Sequence, residues 1–220
     1  GEGAQVALVV RQIGEGVCLF ANILHNEQVG VKGASGAAWL AQDEAEAMIE
    51  QMEDSGIAMI AVPLAALRGV LAGALAINAA AGQGLPAAYE LWAPLTHDSY
   101  PPAPDEPIVE VALDDAPYAG RADLVARGDS LAAHPFFQHW GFDYADTSAA
   151  LHHALGPAGN ALSERDLTLL AETLATPGRC ARFRARLRRQ AWLLDHLGDT
   201  VTRDLALAAA AAFASADRAA

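Results

Sequence analysis

The stretch HPFFQHWGFDYAD, residues 134–146, gathers two imidazoles and two carboxylates: His134, His139, Asp143 and Asp146. Imidazole nitrogen and carboxylate oxygen are the donors that hold divalent transition metals, and the same groups move protons in hydrolysis. These four therefore form a candidate metal centre for a metal-dependent hydrolase. The spacing matches neither HExxH nor a paired CxxC, and no two of the seven histidines stand four apart, the separation that puts two rings on one helix face. The competing reading is structural. Phe136, Phe137, Trp140, Phe142 and Tyr144 make the segment an aromatic anchor, with the polar residues between them turned to water.

Other chemistries lack their residues. No GxSxG elbow occurs, and the GASG at 33–36 is too short for a phosphate-cradling loop, with Lys32 before rather than after it. Cys18 and Cys180 belong to no CxxC pair and are expected to be free thiols. His97 and Asp98 are adjacent beside a proline-rich stretch, but sequence neighbours in a loop rarely point at one another. No cofactor is expected.

Charge is the stronger signal. The net charge is −13, and the whole excess lies in the first part: residues 1–120 carry sixteen acids and three bases, whereas 121–220 carry eleven of each. Within GRCARFRARLRRQAW, residues 178–192, six arginines nonetheless crowd together: Arg179, Arg182, Arg184, Arg186, Arg188 and Arg189. Cys180, Phe183, Leu187, Leu194 and Leu197 trace one apolar stripe, so the arginines are expected on the remaining, solvated circumference. A polyanion would meet long-range repulsion from the rest of the chain, which argues against nucleic acid. The guanidinium groups are expected to meet carboxylates, within the chain or on a second copy, because Arg grips a carboxylate through a two-pronged fork. Arg182, Arg186 and Arg189 are the candidates for contact with a partner. On the acidic side the candidates are Glu44, Glu46, Glu50 and Glu53.

The elements that would position these residues read as α+β. Apolar and β-branched residues on either side of Gly14 and Gly16 predict two strands, apolar on both faces as if covered on two sides, with a short third at 28–33. From Ala41 the period changes. Ala41, Ala45, Met48, Ile49 and Met52 share a helical face, with the glutamates elsewhere and Gly56 beyond the end. A second helix opens at Pro63 and runs through Leu64, Leu67, Leu71, Leu75 and Asn78 towards Gly82, with Gly69 and Gly73 allowing close approach. The apolar run 57–81 is interrupted by Pro63 and Arg68 and is read as a buried helix, not a membrane span. Tyr89 and Trp92 mark a short aromatic helix.

The prolines at 101–107 read as a linker between an acidic α+β part, 1–100, and a mainly helical part, 108–220. Residues 108–113 are expected as an edge strand. Helices follow at 122–137, from Thr147, from the capping pattern Ser163-x-x-Asp166, from Thr176-Pro177 and after Thr200, the last two forming a hairpin around Gly198. The opening GEGAQ, without an initiator Met, fits a processed or trimmed chain, and no leader pattern marks it for export.

FANILHNEQVGVKGA at 20–34, with ALAINAAAGQGLPAAYELW at 74–92, resembles an uncharacterised group of bacterial proteins. That group carries a Leu-Val-Asp then Cys-Leu-Gly-Val-Lys-Asp motif and a downstream Pro-x-x-Tyr segment. Gly30, Val31, Lys32, Pro86 and Tyr89 match it, whereas His25, Gln28 and Gly33 stand where the group has Asp, Cys and Asp. The resemblance implies a bacterial cytoplasmic protein and no activity. The sequence thus points to a non-catalytic interaction or assembly protein, whose acidic N-terminal half meets a basic protein surface or a second copy. The metal-dependent hydrolase is the alternative.

Overall fold

The structure, a computed structural model, describes residues 5–26, 29–55, 59–98, 108–137 and 163–217. The protein is α+β: a three-stranded antiparallel sheet with helices, then a mainly helical half. It divides into two compact units, 1–111 and 112–220.

In the first unit, β1 (Gln5–Gly14), β2 (Val17–Asn26) and β3 (Gly30–Ala41) form a meander in the order β1-β2-β3. β3 is twice the length expected. Its GASGAAWLA run carries a weak strand signal because its residues are small, and the packing explains why. A Cβ at Gly36 would lie 2.4 Å from the Phe20 carbonyl and 2.7 Å from the Trp92 ring. Ala7 and Val9 of β1 pair with Ile23 and Ala21 of β2, and these four point to one face, under α2 (Leu64–Ala80). Leu67, Leu71 and Ala74 of α2, together with Tyr89 of α3 (Tyr89–Trp92), complete this core. Full burial of each such leucine contributes about 1.5–3 kcal/mol. At the start of β3, Gly30 takes φ +85°, and its missing Cβ leaves room for the Asn78 side chain and the Ala74 carbonyl. Asn78 Oδ1 accepts from the Val31 N–H at 2.7 Å, and its Nδ2 donates to the Val31 carbonyl at 3.3 Å.

The opposite face is covered only in part, which corrects the expectation of strands buried on both sides. Cys18 and Phe20 are buried there, where α1 (Gln42–Asp54) packs against β2 and β3. Val6 and Val10 remain 43% and 39% exposed.

Residues 108–111 belong to this unit but are not a strand. The Val109 carbonyl comes so near α2 that a Cβ at Gly69 would sit 2.0 Å from it, and Val111 is buried beside it. The unit therefore ends later than residue 100, after the proline-rich 101–107, which lies outside the described residues. Gly73, by contrast, has open space around it.

The second unit is built on a helical hairpin. α4 (Ala122–Val125) and α5 (Gly128–Ala133) take the place of the single helix expected over 122–137. α6 (Glu164–Leu174), α7 (Pro177–His196) and α8 (Thr200–Asp217) follow. The helix expected from Thr147 lies outside the described residues. Gly198 turns α7 into α8 at φ +75°, and the Asp199 carboxylate accepts the Thr202 N–H at 3.0 Å, satisfying one of the unpaired donors at the start of α8. Leu205, Ala206, Leu207, Ala208, Ala210 and Ala211 are all buried, so the middle of α8 is enclosed on every side, and alanine lets α7 approach it closely. No helix of the described residues is long and apolar enough to cross a membrane.

Candidate functional site

Of the four proposed metal ligands only His134 is described; His139, Asp143 and Asp146 lie outside the described residues. His134 follows α5, and both of its ring nitrogens are engaged. Nδ1 accepts the Phe136 N–H at 3.2 Å, which places the proton of the neutral ring on Nε2, and Nε2 faces Asp199 Oδ2 at 3.4 Å. The Asp199 carboxyl is held below its ordinary range, chiefly by the backbone hydrogen bond from Thr202 and also by His134. His134 thus ties the end of α5 to the cap of α8. Its ring stands 5.3 Å from that of Phe136, edge to face, and Phe137 is buried in the core of the unit. Among the described residues no group of three or more His, Cys, Asp or Glu side chains could hold a metal ion.

The arginines of α7 lie only in part on a solvated face, and two of them meet a carboxylate within the chain, as expected. Asp115 is only 1% exposed, and Arg184 grips it with two parallel bonds, Nε to Oδ2 at 2.7 Å and Nη2 to Oδ1 at 2.9 Å. Arg188 Nε lies 3.7 Å from the same carboxylate and donates to the Leu113 carbonyl at 2.7 Å, while the Leu113 N–H donates to the Arg188 carbonyl at 3.2 Å. Through these contacts α7 holds the segment that opens the second unit. The Arg184 hydrogen bonds keep the Asp115 carboxyl below its usual range, against the opposing effect of burial.

Arg186, expected to meet a partner, is buried at 6% exposure and lies on the inward face with Leu187, Gln190 and Leu194, so it is not available to one. Arg182 is exposed and Arg189 half-buried. A second polar network stands nearby. Tyr118 donates to Asp204 Oδ1 at 2.7 Å, and Arg203 bridges Asp204 and Asp195 at 2.7 and 2.5 Å. The hydrogen bond to the Asp204 carboxylate pushes the Tyr118 hydroxyl up.

His97 and Asp98 take part in a brace. Arg11 donates to the His97 and Asp98 carbonyls, and the buried Arg68 reaches Asp98 Oδ2 at 3.3 Å.

The acidic candidates lie where expected. Glu44, Glu46, Glu50 and Glu53 are all exposed on α1, with Asp43 and Asp54 beside them. Glu44 Oε2 turns back to accept the Ala41 N–H at 3.2 Å, and acids in a first turn complement the helix dipole, so part of this charge has a structural use. The rest faces water on a helix that carries no basic residue. Sequence reasoning missed three residues: Asp115; Asn78 as a hydrogen-bonding side chain; and Trp39, which is 77% exposed with φ +63°. The unpaired spacing of Asp115 gave no signal. Comparisons with family profiles, with characterised proteins and with solved structures find no match to this chain.

Proposed function

We propose that this is a non-catalytic interaction or assembly protein whose acidic N-terminal unit binds a basic protein surface. The observation that carries the reading is α1: six carboxylates in 13 residues, no base among them, and the four central glutamates exposed. The burial of Arg186 and the engagement of Arg184 and Arg188 with Asp115 support a heterologous basic partner over self-association through that helix. Surface carboxylates of this kind steer encounter and select orientation more than they supply affinity, so the interaction is expected to weaken steeply with salt.

The test is a pull-down from a lysate of the source cells at low and high salt, comparing the native chain with E44Q/E46Q/E50Q/E53Q. A basic partner captured at low salt, and lost both at high salt and with the variant, supports the reading. Equal capture by both proteins, or no capture by either, overturns it.

A further inference from the structure

We infer that the half-covered sheet face beside α1 is the seat for a basic amphipathic helix of the partner, apolar side down. This rests on the reading above and names the form of the partner. On this face Val6, Leu8 and Val10 alternate along β1, an edge strand, and Val6 pairs with Leu24 of β2. Val6 and Val10 are exposed, and Leu8 and Leu24 are half-buried. α1 packs chiefly against β2 and β3, and on β1 Val6 and Val10 stay 43% and 39% exposed. Its own apolar stripe is unfinished, because Met48 and Met52 are only half-buried. Flexible thioether side chains at the edge of an apolar strip suit a helix that must repack them.

Charge chooses the occupant. The helix that packs on this sheet, α1, carries acidic charge and no basic residue, so a bare apolar or acidic segment is disfavoured. A helix with one Leu-rich face and flanking Lys or Arg meets both the strip and the carboxylates.

The test uses the full chain and two fluorescent peptides of equal charge. One is a Leu/Lys peptide patterned for helical amphipathicity; the other is a Ser/Gly/Lys peptide with no apolar face. The expected result is that the amphipathic peptide binds at least about tenfold more tightly, and that Val6→Gln with Val10→Gln removes this advantage without changing affinity for the control. Both valines are part-exposed on an edge strand, outside the buried core, so the double variant is expected to fold, and circular dichroism checks it.

Equal, salt-sensitive binding of the two peptides overturns the inference while leaving the acidic-surface reading standing. Binding of neither peptide overturns both. A sedimentation shift from dimer to monomer in the double variant would assign the face to a second copy and overturn the inference in that way.

Discussion

Replacing Asp115 with Asn tests whether the arginine helix is internal scaffolding. Removing one member of a buried ion pair costs about 3–5 kcal/mol when the surviving charge stays buried. Here Arg184 is 41% exposed and can rehydrate, and Asn can still accept one of its two bonds. The expected loss is therefore about 2 kcal/mol at neutral pH. The pH dependence follows from the same contact. Because the folded carboxyl titrates below its unfolded value, its stabilisation is complete above about pH 4 and disappears as pH falls through the folded value. The gap between the native chain and D115N should then close on acidification, since both carry a neutral group at that position. Urea unfolding, with amide exchange in α7 followed by mass spectrometry, places the loss in the second unit. A double-mutant cycle with Arg184→Gln should show a coupling of about 1–2 kcal/mol. A D115N chain within about 0.5 kcal/mol of native at neutral pH, or a gap unchanged in acid, would refute the account.

Three further outcomes are expected from backbone and packing. Gly69→Ala forces a Cβ to within 2.0 Å of the Val109 carbonyl and should cost about 1–3 kcal/mol, whereas Gly73→Ala, with open space around it, should gain about 0.5–1 kcal/mol from helix propensity; thermal unfolding of the pair ranks them. Asn78→Ala strands the Val31 N–H and carbonyl in a buried site and should cost about 2–3 kcal/mol, with faster amide exchange at Val31 as its signature. At Trp39, glycine should be more stable than alanine by about 1 kcal/mol, because alanine keeps the left-handed strain and glycine does not; equal stability of W39G and W39A would contradict that.

What the sequence made legible was local. Helix ends at Pro63, Thr176-Pro177 and Gly198, and the apolar faces of α1 and α2, follow from caps and periods confined to a few residues. What it concealed depended on distant partners. The strand character of β3 is hidden because Gly36 must stay small for Trp92, a residue of another element. Residues 108–111 have strand-like composition, yet they lie on the gap left by Gly69, and β propensity cannot say whether the neighbour will be a sheet edge or a helix. The arginines show the limit most clearly. A stripe-and-remainder reading put Arg184, Arg186 and Arg188 on the solvated remainder. Arg186 is buried instead, and Asp115, 69 residues before Arg184, takes hold of Arg188 and of Arg184, whose side chain stays partly in water. Nothing in the α7 sequence distinguishes an arginine that meets an internal carboxylate from one that meets water. The acidic helix has the reverse property: its stripe, its cap and its carboxylates all lie within one element, so its exposed charge could be read before the fold was known. That asymmetry is why the functional reading moves to α1 and away from the arginines.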